Sequence, residues 1–426
     1  MLRTELHQSD VPDVFAEFQK LIGQESWLAR AHELRCVLVS APHRKDEIVR
    51  ENFLALQLDR CSSVAAQNGG TLREVDCSGE ELIDAFILSS QALDLYRLAE
   101  KNTKRAAKTL VKRIQGGFNN PVDLRAMQLE SRVATHFSLR GYTVTFPELE
   151  GGQKSFDVLV ENLGPNGLEI ECKLVTVDMG RKIHRKDSAL FLGRIRAALE
   201  PATRNINNGL AIVVTLPDRL PDAEDQLHEL VRFVCCGVLA GKNIFHHDGT
   251  GVRVLDFTVT GLGNLENPLS RQNRDAIDRI TGTRNRECFI EKTRDGGLLV
   301  VVVQSVQPDT VMKNMISTVA RAAEKQFTRS RPGILALGLE DISSESLAVI
   351  GVDDNSGARP LSPLHSATVE YLRSESPDHL IGIVYMSAPV TQKSNIEIES
   401  RGTTYYFPKR SSPMWHNDFS GIFGLG

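Results

Sequence analysis

The spacing of apolar residues changes once along this 426-residue chain, at the break formed by residues 116–124. Before the break, segments such as residues 14–22 and 82–100 repeat apolar side chains every three or four positions, which predicts helices. After it, short alternating or wholly apolar runs bounded by turn residues predict strands that alternate with helices. We therefore expect a helical N-terminal region followed by α/β structure.

Chain length and turn-rich loops predict three parts. A chain of this length exceeds one ordinary hydrophobic core. We expect a mostly helical region over residues 1–118, an α/β domain over residues 119–260 and a second α/β domain over residues 268–426. Within the first region, residues 36–42 are an exception and resemble a short strand. Both α/β stretches contain a hairpin, a helix and an apolar strand in the same order. That order suggests a duplication, although no residues align beyond it.

Composition narrows the class of protein further. Hydrophobic residues make up 41% of the chain and charged residues 24%, which is ordinary for a folded globular protein. The sequence has no apolar run that could span a membrane, and its N-terminus lacks the apolar core of a signal peptide. The seven cysteines are scattered without zinc-ligand spacing, so we expect reduced thiols in a cytoplasmic protein. Because the net charge is -4, binding to nucleic acid would have to come from local basic surface.

Three charged side chains are expected on one face of a predicted hairpin. Residues 155–161 and 168–175 predict two strands joined by a loop rich in Asn, Gly and Pro. Side chains alternate across a strand, so Glu171 and Lys173 share a face, and Asp157 can lie close to them. Two carboxylates would repel each other there unless a cation lies between them, and oxygen ligands of this type suit Mg²⁺ or Mn²⁺. Lys173 would then orient or deprotonate a water and steady a phosphate.

A fourth charged residue, Glu130, is expected on the buried side of a helix. In the helix predicted over residues 124–140, Glu130 has helical spacing to Met127, Val133 and Phe137, so it lies on the apolar stripe that faces the sheet. A buried ionised carboxylate costs several kcal/mol unless it is paired or coordinated. We therefore expect Glu130 to join the metal site.

This arrangement resembles a known group of enzymes. A helix with an inward Glu130, then Asp157, then the Glu-Cys-Lys run at residues 171–173 resembles the restriction-endonuclease-like PD-(D/E)XK nuclease superfamily. The resemblance covers residues 122–257, about a third of the chain. Phe156 stands where the family motif has a proline.

The resemblance implies a fold, a cofactor and a role for each residue. The fold would be a central mixed sheet flanked by helices, with Mg²⁺ or Mn²⁺ as the cofactor. Asp157 and Glu171 would be metal ligands, the carbonyl of Cys172 a further ligand, Glu130 the accessory acid and Lys173 the catalytic lysine. The reaction would be hydrolysis of phosphodiester bonds.

Two basic segments are candidates for contacts with nucleic acid. Arg181, Lys182, Arg185 and Lys186 follow closely after the motif, and we expect them to bind phosphates. The alternative is an ordinary solvated loop and helix face. The run at residues 101–113 is expected to be a plain exposed helix, with a helix that faces nucleic acid as the alternative.

The resulting hypothesis is a metal-dependent endonuclease that acts on DNA, with a role in defence against foreign DNA suggested by analogy alone. One alternative is a ribonuclease that uses the same site. Another is a non-catalytic nucleic-acid-binding or sensor protein with an inherited nuclease fold. The C-terminal stretch has no equivalent of the Asp and Glu-x-Lys motif, so as a second copy it would be catalytically empty. The flanking regions would then serve as scaffold, dimer contact or partner-binding surface.

Overall fold

The computed structural model describes residues 2–40, 45–73, 82–150, 156–259, 271–282, 286–357, 360–394 and 396–423. In these residues the chain is mixed α/β, with one antiparallel sheet and two sheets that combine parallel and antiparallel pairs. None of the described helices is both long and apolar enough to cross a membrane. Most of the loop expected at residues 261–271 lies outside the described residues.

The chain forms two compact units, each with its own sheets. The first unit consists of Met1–Cys36, Val49–Met179 and Met312–Gly426. The second unit consists of Val37–Ile48 and Gly180–Val311. The second unit is therefore made mostly of one continuous segment that lies, in sequence, between two parts of the first.

The N-terminal region is helical, as the apolar spacing predicts. Its helices are α1 (Val11–Ile22), α2 (Glu25–Ser40), α3 (Lys45–Glu51), α4 (Phe53–Gln67), α5 (Ile83–Asn102), α6 (Lys104–Gly117) and α7 (Pro121–Ser138). The expectation of a strand at residues 36–42 is wrong for residues 36–40, because helix α2 continues through Ser40. Residues 41 and 42 lie outside the described residues. The buried stripe of Trp27, Ala31 and Leu34 anchors the helix, and adding residues to an established helix is easier than starting a new element.

The N-terminus also contributes a strand that the sequence pattern does not reveal. Strand β1 (Leu2–His7) pairs antiparallel with β13 (Glu397–Gly402), which pairs in turn with β12 (Val390–Lys393). This three-stranded sheet joins the two ends of the described chain within the first unit.

A six-stranded mixed sheet forms the centre of the first unit. Its strands, in spatial order, are β14 (Thr404–Pro408), β11 (Leu380–Ser387), β10 (Gly333–Leu339), β4 (Leu168–Val175), β3 (Val158–Val160) and β2 (Val144–Thr145). The predicted hairpin is present, with β3 antiparallel to β4. Strand β10 runs parallel to β4 and places Leu335 opposite Glu171. Strand β4 is therefore an interior strand with a neighbour on each side.

Helices cover both faces of this sheet. Helix α7 packs with Val158 and Ile170, whereas helix α12 (Val311–Lys325) packs with Leu335 and Leu337. Residues opposite each other in neighbouring strands share a face, so Glu171 points to the α12 side with Leu335. The other helices of the first unit are α8 (Pro147–Glu150), α13 (Ser344–Ser356) and α14 (Pro363–Ser374).

A five-stranded mixed sheet forms the second unit. Its strands, in spatial order, are β6 (Ile244–His247), β7 (Thr250–Phe257), β5 (Gly209–Leu216), β9 (Leu298–Ser305) and β8 (Glu287–Lys292). The accompanying helices are α9 (Arg185–Thr203), α10 (Glu224–Leu239) and α11 (Arg271–Thr281). Strand β5 runs parallel to β9, and β8 and β9 form an antiparallel hairpin.

The strand partners differ from those expected from the order of elements. Strand β5, expected in the same domain as the β3–β4 hairpin, lies in the other sheet and pairs with β7 and β9. Strands β10, β11 and β14, expected in a separate C-terminal domain, complete the sheet that contains β3 and β4. The expected limits 119–260 and 268–426 therefore do not coincide with the two units. Apolar periodicity identifies a strand, but its parallel partner depends on long-range packing that the local pattern does not record.

Candidate metal centre

Asp157 lies immediately before β3 and takes part in the hairpin through its side chain. The N–H of Cys172 donates a hydrogen bond to Asp157 Oδ2 at 2.7 Å. The β3–β4 ladder ends at the pair of Val158 and Ile170, so strand β3 is shorter than the run of alternating residues predicts. The side chain of Asp157 thus accepts the hydrogen bond that a backbone carbonyl of β3 would accept in a longer ladder. This brings its carboxylate to the position next to Glu171.

Glu171 and Lys173 lie together on β4, as side-chain alternation predicts. Lys173 Nζ is 2.5 Å from Glu171 Oε1, and the side chain of Lys173 is 33% exposed. Glu171 is almost completely buried. Its second oxygen, Oε2, is buried and has no hydrogen-bond partner among the described residues. A buried carboxylate oxygen without a partner is costly, so this atom marks a place where a ligand would be stabilising.

Glu130 is buried on α7, as its place on the apolar stripe predicts, and it is held by an arginine. Arg113 on α6 donates from Nη1 to Glu130 Oε2 and from Nη2 to Glu130 Oε1, both at 2.7 Å. Arg113 belongs to the basic run that was expected to be a plain exposed helix. That expectation is right for Lys104 and Lys108, which are exposed, and wrong for Arg113.

A further carboxylate, Glu148, was missed from the sequence. It lies on the four-residue helix α8. One carboxylate oxygen from each of Glu130, Glu148 and Asp157 lies within 4.8 Å of the other two. Arg113 Nη1 is 3.6 Å from Glu148 Oε2. A helix of four residues is too short to show a period, which is why apolar spacing gave no signal for it.

Burial, together with neighbouring acids, raises the pKa values of Asp157, Glu130 and Glu171. Burial raises the pKa of Asp157 well above its usual range, and the charges of Glu130 and Glu171 raise it further. Burial likewise raises the pKa of Glu130 to about 7, although the guanidinium of Arg113 opposes the shift. Burial also raises the pKa of Glu171, against the opposing effect of Lys173. A bound divalent cation would favour the ionised form of each of these groups.

The same surroundings raise the pKa values of both Lys173 and Cys172, but for different reasons. Burial alone would lower the pKa of Lys173, but the charges of Glu171 and Asp157 outweigh it and raise this pKa. Lys173 is therefore a cation at neutral pH. Burial raises the pKa of the Cys172 thiol well above its usual value, so this thiol stays protonated. A strand residue directs its N–H and C=O to the same side, so the carbonyl of Cys172 points toward β3, as its N–H does.

These groups fit a hard divalent cation. Carboxylate oxygens of Glu130, Glu148 and Asp157 lie within 4.8 Å of one another, and Glu171 and the carbonyl of Cys172 lie beside this group without being part of it. Oxygen donors of this kind are those that Mg²⁺ and Mn²⁺ prefer. The unpartnered Oε2 of Glu171 is the observation from the structure that supports the fit. The sequence-predicted ligands Asp157, Glu171 and Glu130 thus lie in one neighbourhood, with Glu148 added.

The predicted phosphate-binding residues belong to the second unit, whereas the carboxylates belong to the first. Arg181 pairs with Glu287 at 2.7 Å, and Lys182 pairs with Asp218 at 2.8 Å. Arg185 is partly buried and Lys186 is exposed; both begin helix α9. Two of the four cations therefore already have carboxylate partners, and none of them lies in the same unit as the candidate metal centre.

Comparisons with known proteins identify no relative. No protein family matches the chain, and neither the curated proteins nor the solved structures contain a match.

Proposed function

We propose that this protein is a metal-dependent nuclease that hydrolyses phosphodiester bonds in DNA. The observation that carries the proposal is the meeting of Asp157, Glu171 and Lys173 at one end of the β3–β4 hairpin, where Glu171 Oε2 has no partner in the part of the chain that the structure describes. Acidic oxygen donors beside a lysine are suited to metal-assisted attack on a phosphodiester.

The order of elements in the first unit adds support. Helix α7 is followed in sequence by β2, α8, β3 and β4, and the next elements of this unit are helix α12 and strand β10, which is parallel to β4. Together they form a mixed sheet flanked by helices, as the resemblance to PD-(D/E)XK nucleases leads us to expect. Residues 180–311 lie between β4 and helix α12 in sequence, as an insertion of the second unit.

In this proposal each group has a separate role. Asp157, Glu171, Glu130, Glu148 and the carbonyl of Cys172 are the groups that would hold Mg²⁺ or Mn²⁺. When bound, the ion supplies Lewis-acid polarisation of the phosphate and lowers the pKa of water.

The other groups act on the substrate or on the acids. Lys173, protonated and partly exposed, donates to a phosphate oxygen or to the attacking water and offsets the negative charge that develops there. Its raised pKa favours this role over proton abstraction. Arg113 fixes the carboxylate of Glu130 in position and limits repulsion among the acids.

Nicking of supercoiled DNA tests the proposal. Wild-type protein with Mg²⁺ or Mn²⁺ should convert the supercoiled form, and excess EDTA should stop the reaction. Asp157→Asn and Glu171→Gln should each abolish nicking while the circular dichroism spectrum is unchanged. Glu161→Gln is the matched control, because Glu161 is an exposed acid just after β3. Nicking that persists in both site variants would exclude this site.

Two other outcomes separate the alternatives. The same variants should be tested on RNA, since cleavage of RNA alone would identify a ribonuclease that uses this site. The ion pair between Arg113 and Glu130 stabilises Glu130 without a metal, which is the observation that favours a non-catalytic protein. Calorimetry that detects no binding of Mn²⁺ by wild type, with no cleavage of either substrate, would support that reading.

A further inference from the structure

A basic turn leads from α12 into β10 at the end of the strand that carries Glu171. We define the basic turn as residues 325–331, with the sequence Lys-Gln-Phe-Thr-Arg-Ser-Arg. It precedes Gly333, which lies opposite Glu169 in the β10–β4 pairing. Glu169 is two residues before Glu171 and shares its face of the sheet, about 7 Å away along the strand. The basic turn therefore lies at the N-terminal end of β4, and its neighbour Glu169 is one position from Glu171 along the same face of the strand.

A buried carboxylate anchors the turn. Glu169 is completely buried, and it accepts hydrogen bonds from the N–H of Thr328 at 2.9 Å and from the Thr328 hydroxyl. The hydroxyl oxygens of Thr328 and Ser330 are 2.8 Å apart, and the N–H of Ser330 donates to Thr328 Oγ1. A buried carboxylate needs such donors to offset its lost hydration. Its bonds fix the backbone of the turn against β4.

Arg329 has a strained backbone at the tip of the turn. Its φ is +67°, in the left-handed region that favours glycine or asparagine and that costs an arginine on the order of 1 kcal/mol. Arg329 Nη2 donates to the carbonyl of Glu324 at 2.8 Å, which directs the guanidinium along the end of α12. Strain of this kind persists where surrounding bonds impose it, and it is common at ligand-binding segments.

Two of the three cations of the turn lack a carboxylate partner among the described residues, and the third has one long contact. Lys325 and Arg329 are exposed and form no ion pair with the described residues. Arg331 has a side chain 41% exposed, with a single contact of 3.8 Å to Glu169. By contrast, Arg181 and Lys182 in the second unit are each paired with an acid. Cations without partners on a fixed backbone are suited to bind phosphate groups.

We propose that the basic turn binds the sugar-phosphate backbone of the nucleic acid next to the bond that is cut. This proposal rests on the proposed nuclease function and assigns its phosphate contacts to residues that the sequence did not single out. Arg329 and Arg331 supply the main contacts, and Glu169 and Thr328 are positioning residues that hold the turn.

The test is the binding of a labelled 20-base-pair DNA duplex in EDTA, measured by fluorescence anisotropy at several salt concentrations. The variant is R329N/R331Q, in which asparagine tolerates the left-handed backbone. Its affinity should fall about tenfold or more at low salt, and the slope of log K against log salt should decrease by about 2, one unit for each lost phosphate contact. The control R181Q/K182Q removes the same charge from the paired cations and should bind nearly as wild type does.

A second pair of variants separates charge from folding. R329K/R331K retains the charge and should retain most of the affinity, and a thermal melt should show that both double variants are folded. Thr328→Val keeps every charge but removes a bond to Glu169, so it should lower affinity less than R329N/R331Q does. Unchanged binding by R329N/R331Q, or a greater loss in R181Q/K182Q, would overturn the proposal.

The two proposals fail in different ways. If wild type binds DNA through the turn but never cuts with Mg²⁺ or Mn²⁺, the nuclease function fails and the binding surface stands. If wild type cuts, and R329N/R331Q binds and cuts as well as wild type, the basic turn is not the contact surface.

Discussion

The hairpins β3–β4 and β8–β9 have similar connections but very different chemistry. In each, the second strand is an interior strand with an antiparallel neighbour from its own hairpin and a parallel neighbour from elsewhere in the chain. Leu168 and Leu298 each begin the second strand, so Glu171 corresponds to Val301 and Lys173 to Val303. In β9 all of these positions are buried and apolar.

The ladders differ as well. Six residues of β8 pair with β9, whereas only three residues of β3 pair with β4. The β3–β4 ladder stops where the side chain of Asp157, rather than a backbone carbonyl of β3, accepts the hydrogen bond from the N–H of Cys172. The β3–β4 hairpin therefore has a shorter ladder than β8–β9, and it carries charged side chains at positions where β9 is apolar and buried. Four substitutions or conditions test this difference.

The largest expected effect is on DNA cleavage. It is measured by comparing an alanine substitution at corresponding positions of the two hairpins. Lys173→Ala should lower the rate of DNA nicking at least about 1,000-fold, equivalent to about 4 kcal/mol, because the cation beside the phosphate is lost. Val303→Ala should leave nicking within about twofold and lower the denaturation midpoint, since it only opens space in a core. Equal nicking by the two variants would show that the hairpins do not differ in function.

Placing an acid on the buried apolar strand β9 should destabilise the second unit. Val301→Glu puts a carboxyl group in a fully buried position without a partner, which should lower the free energy of unfolding by about 3 kcal/mol. Val306→Glu is the control, because Val306 follows the same strand and is 62% exposed. Urea denaturation measures both, and a Val301→Glu protein as stable as the control would contradict the comparison.

A bound metal ion should stabilise the protein through the β3–β4 hairpin and not through β8–β9. Mn²⁺ at about 100 times its dissociation constant should add about 2.7 kcal/mol to stability, because it binds the folded site. A thermal melt of wild type should shift upward by several degrees, whereas Asp157→Asn should not respond. A matching shift in Asp157→Asn would place the ion somewhere else.

The smallest effect is the dependence of stability on pH in EDTA. The pKa of Glu130 is raised from 4.5 to about 7 in the folded protein, so the folded state keeps a proton that the unfolded chain releases. Its contribution to stability is therefore full below about pH 4.5 and is lost as pH rises through about 7. Urea midpoints of wild type should fall over this range more steeply than those of Glu130→Gln. Parallel curves for the two proteins would exclude this role of Glu130.

Local patterns predicted most of the longer helices and strands and much of the candidate site, although they missed β1 and α8. Alternation along β4 placed Glu171 beside Lys173, and the helical stripe of α7 predicted a buried Glu130. The same stripe reasoning could have found Arg113, which lies three residues after the buried Leu110 on α6. Because the segment of residues 101–113 is rich in basic residues, it was interpreted as an exposed helix, and the place of Arg113 on the buried stripe was overlooked.

The rest depended on contacts that no local pattern contains. Strand β10 is an apolar run that could pair with any other strand, and its position beside β4 is decided by packing against α12. For the same reason the sequence did not indicate that Glu169 would anchor the basic turn through Thr328. The anchoring acid and its partner are brought together only when β10 pairs with β4.

The insertion of the second unit between β4 and β10 also affects the timing of synthesis. Strand β4 is complete when residue 175 has been made, but its parallel neighbour begins only at residue 333. At about 5–20 residues per second, the ribosome takes roughly 10–30 s to make the intervening segment. During that time one edge of β4 has no paired strand, and Glu169 and Glu171 on β4 are not yet packed beside β10. The nascent chain therefore cannot form the proposed cutting site until most of the protein has been made.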